Sequence, residues 1–476
     1  MHTKAGMLLG VQDENSKLLK NRSTRDGFLR RRFEKACVVG SFALLMILVV
    51  IIVAFAYCRQ NASSGPFQIV RAPIIGDATR DGFARTDANL VFFDDFVSSA
   101  SLASGLWNPQ RSMSGDGNGQ FQYYTDNLAN LYINTTDGSL RLKPGLFEDL
   151  PDINGISARD VMTGNCDDLP ACATFEVPGC TTPGTGCGGT GAPGALLPSV
   201  TSGKVNSSGA FAFQYGRLEF RARMPSGDWL WPGLWMMPQD SDYGIWPNSG
   251  EIDIVESRGN APGYQNDGSS MGSDVIQSTL HYMGNVFWKT QAHGYAAWTE
   301  AYHTFGLYWS DRELYTYYLG QGGEEVRLVD LGADRGGYRN GFARAPLGYD
   351  NATDADAPQK SELTPIDPRV YDGASPAAPF DKPFYLIFNL AVGGDAGAGC
   401  PDPDYWGAAA AWCADCYPDC GPPNTEFYRA KDQWFGPATA AAAAGVAVAG
   451  CSSQFLLPPM PGAGSASDHK GVQLSG

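Results

Sequence analysis

From Gly209 to Pro225 the chain reads GAFAFQYGRLEFRARMP, and over most of it apolar and polar side chains alternate. Successive strand residues point to opposite faces, so Tyr215, Arg217, Glu219, Arg221 and Arg223 share one face and Leu218, Phe220 and Ala222 the other. The same period of two returns in SLRLKP, STLHYM, TFGLYW, ELYTYYLG and FYLIFNLAV, with turn-forming stretches between them. This pattern predicts an antiparallel all-β sandwich and not a βαβ succession. The folded domain is expected over 88–436, opening at NLVFFDDF. Over 330–379 the pattern fades into Gly, Pro and Asp, which reads as an insertion loop. Residues 437–476, beginning near GPATAAAAAGVAVAG, read as a low-complexity tail.

One segment follows neither period. From Ala36 to Cys58 there are 23 residues without a charge, enough helix to cross a hydrocarbon core of about 30 Å. A cleaved signal peptide has an apolar core of about 7–15 residues nearer the N-terminus. This run is longer and later, so an uncleaved transmembrane anchor over 36–58 is expected, with a polar tail at 1–35 and a linker at 59–87. The tail carries nine Lys and Arg against four Asp and Glu. Positive-inside bias therefore puts it in the cytosol and everything after Cys58 outside the cell or in the secretory lumen. The sequons at Asn61, Asn134, Asn206 and Asn351 all fall on that translocated side.

Composition sharpens this picture in two respects. With 58 Gly, 31 Pro, 12% aromatic and 18% charged residues among 476, many short strands and turns are favoured over helices. The net charge of −16 argues against a nucleic-acid partner, which requires clustered Lys and Arg. Nine of the eleven Cys lie beyond the apolar span, at 166, 172, 180 and 187 and then at 400, 413, 416, 420 and 451. In an oxidising compartment they read as disulfides within two loop-rich clusters, with one thiol left over. Cys400, Cys413, Cys416 and Cys420 also suit zinc by number, but no His joins them and thiolates are disfavoured there.

The chemistry concentrates in SGEIDIVESRGN, Ser249 to Asn260. On a strand, Glu251 and Asp253 share a face while Ile252 and Ile254 point to the core. Like charges side by side destabilise a sheet, and Glu256 falls on the wrong face unless one residue is extra. A β-bulge at Ile254-Val255 would supply that residue and return Glu256 to the face of Glu251. Three carboxylates on one face can divide the work of glycoside hydrolysis, one attacking and one protonating, because mutual repulsion holds a proton on one of them. An acidic strand face or a calcium site is the plainer alternative. Just upstream stand Trp229, Trp231, Trp235 and Trp246. Trp faces suit sugar rings, although Trp235, inside GLWMM, is the one most expected to pack in the core.

GEIDIVESRGN resembles the bulged E-x-D-x-x-E signature of glycoside hydrolase family 16, and the likeness is greatest to its laminarinase and β-1,3-glucan-binding branch. It extends through NLVFFDDF, FQYYTDN, YGRLEFRARMPSGDWLWPGLWMMP, STLHYM, YHTFGLYW and PFDKPFYLIFNLAVGG. The resemblance implies a β-jelly roll of two antiparallel sheets with a sugar-binding cleft. It implies Glu251 as nucleophile, Glu256 as general acid/base and Asp253 as the group tuning the nucleophile, with β-glucan cleaved by retention. It further implies that Trp231, Trp235, Trp246, His281 and Arg221 line the cleft. A strand His is otherwise more often a packing residue, and Arg221 could equally pair with neighbours of Glu219. No organic cofactor or catalytic metal is implied; a structural calcium occurs in some relatives, with no ligands identifiable here. Two features depart from the family: Gln120 where many relatives are acidic, and GVAVAG where a long closing strand is expected, so that either GVAVAG substitutes as a short strand or one sheet keeps an exposed edge. A glucan transglycosylase and a non-catalytic glucan-recognition protein share the same signature.

Overall fold

The alternation of Gly216–Arg223 sets the architecture. Leu218, Phe220 and Ala222 are wholly buried, while Arg217, Glu219, Arg221 and Arg223 stay partly exposed. A computed structural model describes residues 90–165, 174–192, 195–266, 269–282, 286–292, 298–332, 338, 371, 373–394, 427–428 and 445–454. Among these, two eight-stranded sheets pack face to face.

The first sheet runs Glu325–Leu331, Leu314–Leu319, His303–Trp309, Gly216–Arg223, Val446–Gln454, Ser139–Leu142 and Leu131–Asn134, with Leu90–Asp94 also against Val446–Gln454. The second runs Val286–Ala292, Ile276–Tyr282, Glu251–Ser257, Leu230–Pro238, Phe384–Val392, Lys204–Asn206 and Asn108–Pro109, with Ala212–Phe213 also against Phe384–Val392. Every pairing within them is antiparallel. The inner faces supply one continuous apolar core. Phe220 of the first sheet meets Phe388 of the second at 6.0 Å between ring centres, and Trp107 lies 4.9 Å from Phe388. Sheet against sheet is the sandwich that the period of two predicts.

The C-terminal boundary needs correction. Residues 446–454, read from sequence as part of a tail, form a strand inside the first sheet, paired with Gly216–Arg223 on one side and with Ser139–Leu142 and Leu90–Asp94 on the other. Val446, Ala447 and Val448 are fully buried. Ala and Gly are poor strand formers by themselves, so VAVAG is held by its neighbours rather than by propensity. Gly445 leads into it where a Cβ would lie 1.8 Å from the Leu142 carbonyl oxygen, an approach only glycine permits.

A second, smaller apolar cluster gathers Tyr123, Phe147, Val161, Met162, Phe175 and Val177. Beside it Cys180 and Cys187 form a disulfide with Cα atoms 5.3 Å apart, as the first cysteine cluster suggests. Cys166, Cys172, Cys400, Cys413, Cys416 and Cys420 lie outside the described residues, and Cys451 is buried in the Val446–Gln454 strand. The 1–35 tail, the 36–58 span, the 59–87 linker and most of the 330–379 insertion also lie outside them. Among the described residues no helix is long and apolar enough to cross a membrane.

Candidate active site

Glu251–Ser257 lies between Leu230–Pro238 and Ile276–Tyr282. Against Leu230–Pro238, Leu234 faces Val255 and Trp235 faces Asp253, so Ile254 has no partner residue. Against Ile276–Tyr282, Asp253 faces Thr279 and Glu256 faces Gln277, so three steps on one strand match two on the other. This is the bulge that the offset of Glu256 requires. Its cause is apolar: Ile252, Ile254 and Val255 are all buried in the core. Placing both Ile254 and Val255 inside costs one step of the ladder and brings Glu256 back to the face of Glu251 and Asp253.

Each acid has a fixed partner. The Trp246 indole N–H donates to Glu251 Oε2. The Trp231 indole donates to Glu256 Oε1 at 2.7 Å. His281, directly across the ladder from Glu251, places Nε2 3.1 Å from Asp253 Oδ2. Burial pushes the Glu251 carboxyl from 4.5 up to about 8, the charge of Asp253 adds to the rise, and His281 and the Trp246 N–H oppose it. Asp253 is also lifted well above its ordinary range, by burial first and the charge of Glu256 second, while a hydrogen bond with Glu251 works the other way. A bond between two carboxyls requires a proton on one of them. Glu251 and Asp253 therefore share protons rather than titrating singly, and the pair holds one through neutrality.

The acids sit in an open cleft of about 660 Å³ on the outer face of the second sheet. Trp231, Trp235, Trp246 and His281 all border it, as the resemblance implies. Trp235 therefore does not pack in the core; Trp229 does, with 1% exposure and a ring centre 5.1 Å from that of Phe427. Arg221 is a correction. Its strand belongs to the first sheet, and alternation with buried Phe220 and Ala222 turns it to that sheet's outer surface, away from the cleft. There its guanidinium lies 5.3 Å from the centre of the Tyr302 ring.

Several cleft residues have only faint sequence signals. Asn389 accepts from Trp235 Nε1 at 2.8 Å and donates to the Tyr124 hydroxyl at 2.9 Å, so it fixes the Trp235 ring. Lys204 sits 5.1 Å from the centre of that ring and pairs with Asp116 at 2.7 Å. Arg258 follows the carboxylate strand. The one clue to Asn389 was a lone amide in the apolar run FYLIFNLAV, where a buried polar group must have a partner. Gln120, the family departure, also borders the cleft and accepts from Gln122 at 2.7 Å.

Among the described residues, Glu251, Asp253 and His281 are the group of donors close enough to share an ion, with ligand atoms within 4.8 Å. The Trp246 bond and the His281–Asp253 contact already engage them, and they assign no ligand to a structural calcium. Of the sequons, Asn134 ends the Leu131–Asn134 strand and Asn206 ends the Lys204–Asn206 strand at the rim of the cleft. Asn61 and Asn351 lie outside the described residues.

Carboxylates and indoles thus line one open groove on an antiparallel sandwich. Comparison with known proteins gives the family. The profile of Glycosyl hydrolases family 16 matches residues 194–338. A β-1,3-glucan-binding protein of Penaeus monodon is 32% identical over 363 residues, covering 72% of this chain and 83% of the relative. Glucan endo-1,3-β-glucosidase A1 of Niallia circulans is 27% identical over 325 residues, or 65% of this chain and 35% of that longer protein. The solved laminarinase of Rhodothermus marinus aligns with 77% of this chain and 97% of its own at 19% identity and a TM-score of 0.42. The chain belongs to glycosyl hydrolase family 16.

Proposed function

We propose that this protein is an endo-β-1,3-glucanase that cleaves β-glucan with retention of configuration, held at a membrane by residues 36–58 with its cleft on the non-cytosolic side. The observation that carries the reading is the bulged strand, which keeps all three acids on the cleft face and gives each glutamate its own indole N–H. A binding surface needs neither the bulge nor the proton held among the acids.

In the first step the Glu251 carboxylate attacks the anomeric carbon while Glu256 gives its proton to the departing glycosidic oxygen. The C–O bond breaks and a glycosyl ester forms. In the second, Glu256 takes a proton from water, the water oxygen attacks the same carbon, and Glu251 leaves. Asp253 holds the Glu251 carboxyl by a hydrogen bond, and His281 braces Asp253 from the neighbouring strand. A sugar hydroxyl in place of water gives transfer by the same residues.

A glucan-recognition role is the second reading, and the name of the Penaeus monodon relative favours it. Full-length protein incubated with a β-1,3-glucan, a mixed β-1,3/1,4-glucan and cellulose separates the possibilities when products are resolved by chain length. Short oligosaccharides from the first glucan are expected. Longer products would mean transfer, and saturable binding with no product from folded protein would leave recognition alone.

The tryptophan platform gives a separate expectation. Asn389→Ala removes the acceptor that fixes Trp235, so KM should rise about tenfold with kcat within about threefold, the signature of lost uniform binding. An unchanged KM would show that Trp235 holds no sugar.

A further inference from the structure

Arg258 is the most buried cation in the cleft, with 4% exposure. Arginine is rarely buried without a paired charge or a stacked ring. Here the guanidinium carbon lies 3.8 Å from the centre of the Trp231 ring, and Nη1 donates to the Ser257 carbonyl at 3.2 Å. The same indole points its N–H at Glu256. The backbone beyond is pinned, since Gly259 N donates to Leu230 O and Gly227 N donates to Gly259 O, both at 2.8 Å. A Cβ at Gly259 would lie 2.0 Å from the Gly227 oxygen, so the chain leaving Arg258 has little room to shift. Arg258 thus stands behind a ring whose other polar contact is the proposed acid/base.

We propose that Arg258 is a positioning residue for Glu256, holding the Trp231 indole flat beneath its guanidinium so that the indole N–H fixes one carboxyl oxygen of Glu256. This rests on the reading of Glu256 as general acid/base. A cation over an indole in a shielded site is attracted by the ring face, and the ring, once held, leaves Glu256 one oxygen bound and the other to face the substrate. The guanidinium also favours the ionised form of Asp253. The charged and titratable groups facing this region are Glu251, Asp253 and Glu256 on the carboxylate strand, His281 on Ile276–Tyr282 and Tyr385 on Phe384–Val392. Leu230–Pro238 contributes only residues that do not titrate, and the Lys204–Asp116 pair lies elsewhere along the same cleft. A merely structural arginine would brace the strand end without influencing these acids.

The test uses the full-length chain carrying Arg258→Met, Arg258→Lys or Trp231→Phe, each checked for cooperative melting. Infrared difference spectra follow carboxylate ionisation across pH in the unliganded protein, and kcat and KM are measured separately on soluble β-1,3-glucan. In Arg258→Met, kcat should fall about 10- to 100-fold with KM within about threefold. Trp231→Phe keeps a ring but loses the N–H and should fall as far, and the double variant little further. Carboxylate ionisation should move up by about one pH unit in Arg258→Met and stay in place in Arg258→Lys. Arg258→Lys keeps the charge but not the planar stack and should still lose about tenfold in kcat. Wild-type kcat and ionisation in folded Arg258→Met overturn the proposal. If that variant does not fold, wild-type kcat in Arg258→Lys or Trp231→Phe overturns it. Should the unsubstituted chain cleave no glucan, the hydrolase reading fails while the infrared shift still decides whether Arg258 acts on the acids.

Discussion

Glu251→Gln in the full-length chain is expected to abolish glucan hydrolysis, by about 10⁴-fold or more, and yet to melt higher than the unsubstituted protein at pH 8.5. The first effect follows from removing the proposed nucleophile of a covalent mechanism. The second follows from the same carboxyl's environment. Burial lifts Glu251 from 4.5 to about 8. A group that binds its proton more tightly folded than unfolded adds stability below pH 4.5, and that contribution is lost as pH rises through about 8. Glutamine does not titrate, so the variant keeps what the glutamate loses. The difference is about 2–4 kcal/mol at pH 8.5 and near zero at pH 4, or several degrees in melting temperature. Glucan binding should survive the substitution. Thermal melts at the two pH values, beside product assays, check all of this. Equal destabilisation at both pH values would show that Glu251 is not held protonated by burial.

Ending the chain at Gly445 is expected to prevent folding, whereas a chain ending at Gln454 retains every pairing described for the final strand. Val446–Gln454 is interior to the first sheet, paired from Arg217 opposite Gln454 to Arg223 opposite Ala447 with one register shift between Arg221 and Ala222 and, on the other side, from Val446 opposite Leu142 to Val448 opposite Leu140. Without it, Gly216–Arg223 and Ser139–Leu142 each gain an unpaired edge, a template for aggregation. Val446, Val448 and Cys451 leave the core, uncovering Leu218, Phe220, Leu140 and Leu142. Each lost apolar side chain costs about 1.5–3 kcal/mol and each buried backbone group left unsatisfied about 1–3 kcal/mol. Together these exceed the roughly 5–15 kcal/mol that holds a domain folded. Soluble yield, far-UV circular dichroism and protease resistance of the two truncations would decide it. A folded, protease-resistant chain ending at Gly445 would mean that the strand is dispensable.

The sequence by itself determined the sandwich and the face that carries the three carboxylates. The period of two in GRLEFRAR, TFGLYW and FYLIFNLAV is a local property of the pleat, and it survived folding because each apolar face found the core. The bulge was legible for the same reason: Ile252, Ile254 and Val255 cannot all be buried, with Glu251, Asp253 and Glu256 all facing outward, unless one residue is extra. Tertiary structure decided what local pattern cannot encode. Trp229 and Trp235 stand in one tryptophan-rich run, and only the positions of the neighbouring strands put the first in the core and the second against Asn389 and Lys204. Arg221 alternates outward as its pattern requires, but which sheet its strand joins, and so which surface it reaches, depends on a pairing with His303–Trp309 far along the chain. VAVAG carries too little propensity to announce a strand. It becomes one because Gly216–Arg223 and Ser139–Leu142 each present an open row of backbone donors and acceptors. Satisfying both rows while covering Leu218 and Leu140 stabilises the segment more than its small residues disfavour it.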